Sequence, residues 1–295
     1  MTLFIFLLLR VLPGNIAYLI YGESTTLELA ALVEQKLGLN EPLHQQYVTW
    51  LGDVVRLDLR SFFGDRPVMD VIRVAFPVSL NLAAYTMVMI IAFSVPIGVL
   101  AALRRDTWID HSSMIFAVLG LSMPTFWVGI LLLYGLMMLF SWAPPFSWVS
   151  PFEDPLRNFS QMIWPSLTLA WVHLATIARM TRSAMLETLN QDYVITARAK
   201  GLSPPTVVWR HALRNALIPI VTLAGIQMAK LLGGSIVVER VFNVRGVGWY
   251  LIQSVQTRDY AVVEGLIMFI AVMVLTINLL IDLLYSRLDP RISYR

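Results

Sequence analysis

The sequence predicts an all-helical, polytopic membrane protein. Of its 295 residues, 57% are hydrophobic and 14% are charged, whereas soluble domains usually carry about 25% charged residues. The mean hydropathy is +0.68. A helix needs about 20 apolar residues to cross a bilayer core about 30 Å thick. Five runs with little or no charge approach or exceed that length and predict spans over residues 77–103, 112–140, 163–178, 216–238 and 261–284.

The first element, residues 1–13, predicts a further but partial span. The apolar stretch 2–12 would rise only about 17 Å as a helix, roughly half of the bilayer core. We expect a half-span beside partner helices, or a span that continues upstream of Met1. A cleaved signal peptide is disfavoured because the run has no basic leader, and Arg10, Pro13 and Gly14 follow it. The prediction is therefore about six spans, the first one truncated.

The second element, residues 14–75, is a polar insert that predicts an external cap. An insert of this length can be translocated despite its Lys and Arg residues. Thr25 and Glu28 have capping-box spacing for a helix ending near Gly38, and residues 40–42 are a start signal for a second helix through about Val55. The residues allow a simple folded loop as well as a docking or gating surface.

The remaining chain, residues 76–295, predicts a core of five spans with both termini of the protein in the cytoplasm. Short loops rich in Lys and Arg stay cytoplasmic. Such residues follow the span 77–103, close the chain, and crowd the loop 179–215. The opposite side receives the segments 141–161 and 239–260, in which basic residues are few or balanced by acidic ones.

The loop 179–215 contains two helices joined by a bend. Gly201 is placed just past the end of an alanine-containing helix, and Ser203 with Pro204 is an N-cap followed by a first-turn proline. A DNA-binding helix-turn-helix is disfavoured, because the second helix runs into the span 216–238. Acidic lipid headgroups attract such basic clusters. The small residues Ala197 and Ala199 favour close approach of another protein.

The run "SAMLETLNQDYVITARAKGLSPPTVVWRHALRNALIP" resembles the cytoplasmic loop of the membrane-spanning subunits of binding-protein-dependent ABC importers, in their peptide-permease branch. Similar runs follow one another in order, including "FPVSLNLAAYTMVMIIAFSVPIGVLAALRRDTWID", "GLSMPTFWVGILLL", "GGSIVVERVFNVRGVGWYLIQSVQTRDYAVVEG" and "NLLIDLLYSRLDPRI". The resemblance covers most of the chain. Ile195, Thr196 and Ala197 stand where the broader importer motif begins Glu-Ala-Ala, which puts the acidic contact of that motif in doubt.

The resemblance implies a type I ABC importer transmembrane domain in a prokaryotic inner (plasma) membrane. The chain would be a multi-pass permease subunit that forms, with a homologous second permease, a path for dipeptides, oligopeptides or a related small solute. Two ATPase subunits and an external substrate-binding protein would complete the importer. The residues expected to couple it to an ATPase subunit are Asp192, Tyr193, Thr196, Ala197, Arg198, Ala199, Lys200, Gly201 and Leu202.

No phosphate-binding loop of the form G-x-x-x-x-G-K-[ST] occurs in the chain. We therefore expect no enzymatic activity and no catalytic residue in this subunit, with ATP and Mg bound by the partner ATPase subunits. The chain has no cysteine, and its four histidines fall in different segments, so no metal site is expected. Lipid is an expected partner and nucleic acid is not. The alternative is a self-sufficient channel or secondary transporter.

Polar and small residues within or beside the spans are candidates for the translocation path or its gate. A lysine inside a span, Lys230, could contact a substrate carboxylate, reach the membrane surface or pair with the partner subunit. Embedded polar side chains such as His173 more often hydrogen-bond a neighbouring helix. The candidates for the path or gate are Asn81, Ser122, Lys230, Gly234 and Asn278.

Overall fold

The computed structural model describes residues 2–10 and 40–288 and the single positions 26, 28, 31, 35 and 38. The first elements are α1 (Thr2–Arg10), α2 (Leu43–Arg56), α3 (Val68–Leu103), α4 (Trp108–Ser122), α5 (Thr125–Phe140) and α6 (Pro155–Leu189). They are followed by α7 (Asp192–Ala199), α8 (Pro204–Gly234), α9 (Ile236–Val241), α10 (Val247–Thr257) and α11 (Tyr260–Leu288). Regular secondary structure in these residues is helical, which confirms the predicted all-α class.

The chain divides into two compact units. One comprises Met1–Pro77 with Gly246–Val272, and the other comprises Val78–Arg245 with Met273–Arg295. Helices α3 and α11 each contribute a part to both units. The predicted division into a partial span 1–13, a cap 14–75 and a core 76–295 stays a prediction.

In the first unit, α1 and α2 are joined by an aromatic cluster. The ring of Phe6 meets Tyr47 edge-on at 5.3 Å between centroids, and Trp50 stacks on Tyr47. The hydroxyls of Thr2 and Tyr47 are 2.8 Å apart. Helix α2 confirms the second predicted helix of the cap. The first predicted helix of the cap, near residues 25–38, lies outside the described residues apart from single positions.

The same unit contains a second apolar cluster that includes Val68, Val262 and Leu266. Helices α3 and α11 approach each other closely at Gly265, where an added Cβ would lie 2.6 Å from the Val68 Cγ1 atom. The carboxylate of Asp259 accepts hydrogen bonds from the Ser61 hydroxyl and, at 3.3 Å, from the backbone N–H of Phe62. These contacts fix the start of α11 against the segment before α3.

In the second unit, α6 lies at the centre and packs against α4, α5 and α8. Its buried face includes Leu169, Ala170 and Ile177, which belong to the largest apolar cluster of the unit. The Ser94 hydroxyl of α3 donates to the carbonyl of Leu174 at 3.0 Å. Helix α6 therefore buries its apolar residues against protein within this unit.

Three described helices are long and apolar enough to cross a membrane: α3, α8 and the Tyr260–Leu283 part of α11. They contain the predicted spans 77–103 and 261–284 and residues 216–234 of the predicted span 216–238, because α8 ends at Gly234. The predicted span 163–178 lies within α6, and its apolar run of 16 residues is shorter than those of the other four full spans predicted. The total of six stays a prediction.

The predicted span over residues 112–140 consists of two helices that meet at a sharp bend. Helices α4 and α5 are bent by 99° relative to each other, so that the pair is a broken span or a re-entrant segment. The physical reason is Pro124, which disfavours the helical conformation at the residue before it. Met123 is accordingly extended, with φ −96° and ψ 128°. With this pair counted as one span, the described helices provide up to four.

Candidate functional site

The segment from residue 192 to residue 212, which we call the elbow, has the local structure that its sequence predicts. Helix α7 ends at Ala199, and Gly201 follows with φ +77°. The backbone N–H of Leu202 donates to the carbonyl of Ala197 at 3.4 Å, and that of Gly201 donates to Arg198 at 2.9 Å. These two bonds are the Schellman arrangement, in which a left-handed residue ends a helix. Ser203 occupies the N-cap position of α8, which starts at Pro204, and its hydroxyl oxygen lies 2.8 Å from that of Thr206.

The inner face of the elbow is apolar and packs on itself. Val194, Ala197 and Val207 form a buried cluster, against which Leu189 packs. Ala197 is only 7% exposed, so its small side chain serves packing between α7 and α8. The predicted contact of Ala197 with a partner stays a prediction, as does that of Ala199, which lies on the surface.

The outer face of the elbow carries large exposed apolar side chains among basic ones. Ile195 is 55% and Trp209 is 53% exposed, and Tyr193 and Leu202 are also exposed. The Tyr193 hydroxyl accepts a hydrogen bond from the Asn215 side-chain amide at 2.7 Å. The other exposed members of the predicted coupling set are Asp192, Thr196, Arg198, Ala199, Lys200 and Gly201.

The elbow ends in a π-helix, Val207–Ala212, which continues directly into the Leu213–Gly234 part of α8. π-Helical turns inside α-helices are rare and frequently lie at functional sites. The last part of the elbow, residues 204–212, and residues 213–234 thus form one continuous helix, α8, which contains this π-helical turn.

The candidates for the translocation path lie in different settings. The amide oxygen of Asn81 accepts hydrogen bonds from Asn158 at 2.9 Å and from the Trp148 indole at 3.5 Å, which ties α3 to α6 and to the loop before it. Ser122 donates to the carbonyl of Val118 within α4 at 2.9 Å. Asn278 is exposed on α11. The contacts of Asn81 and Ser122 are those of structural residues.

Lys230 and Gly234 lie one helical turn apart on α8, and both are exposed. Gln227 lies three residues before Lys230 on the same helix. Unlike Lys230, Gln227 is buried, with 4% of its surface exposed. Its amide oxygen is 3.0 Å from Nδ1 of His173 on α6. His173 therefore hydrogen-bonds a neighbouring helix, as the sequence predicts.

Two polar contacts in the second unit were not predicted from sequence. Arg182 of α6 donates two hydrogen bonds of 2.6 Å to the carboxylate of Asp110 in the first turn of α4. The buried carboxylate of Glu239 accepts from Ser79 at 2.7 Å and from Ser235 at 2.8 Å. The partners of each contact are far apart in sequence, except Ser235 and Glu239, whose i,i+4 spacing was the one available signal.

Comparison with known proteins gives matches along the whole chain. Residues 94–294 match the family described as "Binding-protein-dependent transport system inner membrane component". Residues 1–83 match the family of the N-terminal part of such membrane components. These two matches cover both units of the structure.

Individual relatives are similar over nearly their full length. A probable peptide ABC transporter permease protein of Sinorhizobium fredii is 39% identical over 99% of this chain and 94% of its own. A glutathione transport system permease protein of Escherichia coli is 40% identical over 100% of this chain and 94% of its own. A dipeptide transport system permease protein of Alkalihalophilus pseudofirmus is 35% identical over 100% of this chain and 95% of its own.

Among solved structures, an amino acid ABC transporter crystallised with histidines matches 74% of this chain and 94% of its own, with a TM-score of 0.54 and 19% identity. At that identity the likeness concerns the fold alone, and it confirms the predicted type I ABC transporter fold. The family match also confirms the predicted inner-membrane location. The chain belongs to the family of inner-membrane permease components of binding-protein-dependent ABC transport systems.

Proposed function

We propose that this chain is a permease subunit of an ATP-driven importer and that its elbow receives the movement of an ATPase subunit. In this proposal two ATPase subunits bind ATP and Mg, while the chain binds no cofactor and hydrolyses nothing. A homologous second permease completes the translocation path, and an external binding protein delivers the solute. The family and the names of the relatives support this arrangement.

The observation that carries the proposal is the division of the elbow into two faces. The inner face buries Val194, Ala197 and Val207, which makes α7 and the start of α8 one packed element. The outer face exposes Ile195, Leu202 and Trp209. Large exposed apolar side chains mark interaction sites, and aromatic residues contribute most where they fill a partner's pocket. Because α8 continues into the membrane, a displacement of the elbow would be transmitted along that helix.

The proposed substrates are short peptides or a related small solute that carries similar groups. The support is that relatives similar over nearly their whole length are named for peptide, dipeptide and glutathione transport. A dipeptide and glutathione share amide bonds and free carboxylates. The path must therefore tolerate both polar groups and negative charge.

The test replaces Ile195 or Trp209 by Glu in the tagged chain and measures how much ATPase subunit is retained after mild detergent purification from the native membrane. Loss of an interface anchor costs 2 kcal/mol or more, so we expect about a 30-fold weaker association. Val55→Glu is the matched control, because Val55 is an apolar residue of α2 that is 75% exposed. Undiminished retention in both elbow variants would refute coupling through the outer face.

The alternative function is a self-sufficient channel or secondary transporter. No separate contact favours it over the importer. The same purification distinguishes the two, because a self-sufficient transporter would be recovered without ATPase subunits and a second permease under conditions that preserve other membrane complexes.

A further inference from the structure

Lys230 is an exposed cation on a helix that crosses the membrane. It lies in the Leu213–Gly234 part of α8, four residues before the helix ends, at the end that the distribution of Lys and Arg predicts to be external. An ammonium group that faces lipid is costly, and intramembrane charged residues commonly mark substrate paths. The groups around Lys230 therefore indicate whether its charge can serve the solute path.

The part of the chain that the structure describes does not neutralise this charge with an ion pair. Within residues 40–288 and the shorter described stretches, no carboxylate lies within ion-pair distance of Lys230. Residues spaced three or four apart on a helix are neighbours. The neighbours of Lys230 include exposed Ile226 and Gly234, and none of these is acidic. Among the described residues, the positive charge of Lys230 is thus left without a carboxylate partner.

The surroundings of Lys230 are also polar and held in place. Gln227 is buried, and its amide oxygen is 3.0 Å from Nδ1 of His173. Gln227 is three residues before Lys230 on α8, and residues with this spacing are neighbours on a helix. The Gln227–His173 pair and the exposed ammonium group of Lys230 together offer polar contacts for the anionic group of a solute.

Space for such a group exists at the end of the helix. A Cβ added at Gly234 would meet no heavy atom within 4 Å, so the turn after Lys230 is open on this side of the chain. An incoming carboxylate could reach the ammonium there without displacing a side chain.

We propose that Lys230, with the His173–Gln227 pair beside it, forms a binding site for the anionic group of the transported solute at the external end of the path. For a short peptide this group is the terminal carboxylate. The inference rests on the proposed function, because it requires this face of α8 to line a path that contains water. It predicts a positive electrostatic potential at Gly234 that originates from Lys230.

The experiment uses the absence of native cysteine from the chain. Gly234→Cys supplies a single thiol, which is labelled in native membrane vesicles with two reagents of similar size. One is the anionic 2-sulfonatoethyl methanethiosulfonate, and the other is the cationic 2-(trimethylammonium)ethyl methanethiosulfonate. Each rate is divided by the rate of the same reagent with a free thiol in water. The measurement is repeated with Lys230→Gln and with Lys230→Arg, which keeps the charge.

We expect the normalised rate of the anionic reagent to exceed that of the cationic one by about tenfold, because a unit charge about 6 Å away in water speeds one reagent and slows the other by about threefold each. The ratio should fall to about one in Lys230→Gln and persist in Lys230→Arg. A thiol that reacts with neither reagent, or a ratio that does not depend on Lys230, would overturn the proposal. The labelling requires no ATP turnover, so it can succeed or fail independently of coupling through the elbow.

Discussion

At the residue scale, Gly201 is the position at which backbone conformation decides which side chain fits. Its φ is +77°, and a Cβ added there would meet no heavy atom within 4 Å. A substitution is therefore opposed by backbone strain alone and not by a clash. Substitutions by residues that tolerate the left-handed conformation and by residues that do not can thus be compared at this position without a Cβ clash in either.

We predict that Gly201→Val destabilises the elbow by about 1–2 kcal/mol and reduces ATP-driven uptake, whereas Gly201→Asn retains most of both. Asparagine visits the left-handed region more readily than other residues with a Cβ, and branched residues are the least tolerant. The measurements are thermal unfolding of the purified assembly and its uptake rate. Equal unfolding temperatures and equal uptake for the two variants would show that the bend does not depend on this conformation.

Single residues of the elbow also show what sequence can and cannot predict. Gly201, Ser203 and Pro204 have local conformational signals, and the structure places each of them as predicted. The side on which Ala197 lies depends on packing against Val207, ten residues further along. Local sequence contains no information about that contact, so the small size of Ala197 alone does not distinguish packing within the elbow from contact with a partner.

At the element scale, the π-helix Val207–Ala212 explains how α8 can serve both the elbow and the membrane. A π-turn accommodates one additional residue in an otherwise α-helical segment. The residues on either side of it can therefore keep the orientations that their contacts require. Val207 stays in the elbow cluster, and Leu213 and Ala216 stay in the core of the second unit.

We predict that deletion of exposed Arg210 converts this segment to a regular α-helix while the elbow and the span keep their packing. Deletion of exposed Ile226, in the regular part of α8, should instead rotate one half of the helix by about 100° relative to the other. The Arg210 deletion should then be recovered from detergent as a folded chain, and the Ile226 deletion should not. The measurement is the monodisperse yield of each variant by size-exclusion chromatography. Similar losses in both would show that the π-turn does not hold an additional residue.

Helices α4 and α5 show the corresponding limit of sequence analysis for an element. Apolar composition predicts that residues 112–140 prefer the membrane, but it does not specify the direction in which each helix runs. Pro124 and the extended Met123 separate the two helices, and the 99° bend follows from how each packs against α6. A proline in a predicted span is compatible with a kink or with a complete break, and only tertiary contacts distinguish the two.

At the scale of the whole molecule, the family and the all-helical class were predictable because they depend on features that extend along the chain. Hydropathy, the distribution of Lys and Arg, and motifs in a fixed order each involve many residues. The polar contacts Asp110–Arg182 and Ser79–Glu239 depend on the meeting of distant segments. Such pairs become visible only when the packing of α3, α4, α6 and α9 is known.

The exposed surfaces lead to a last prediction, which concerns the complete importer. The outer face of the elbow and the Lys230 face of α8 both present groups that are unfavourable without a partner, the first apolar in water and the second charged in the membrane. We therefore expect vesicles containing this chain alone to pass neither a radiolabelled dipeptide nor glutathione. Vesicles containing the complete assembly should accumulate at least one of the two in the presence of the binding protein outside and ATP inside, because only the assembly covers both faces. Flux through the chain alone would instead identify a self-sufficient transporter. ATP-driven uptake of neither solute by an intact assembly would contradict the proposed substrate class.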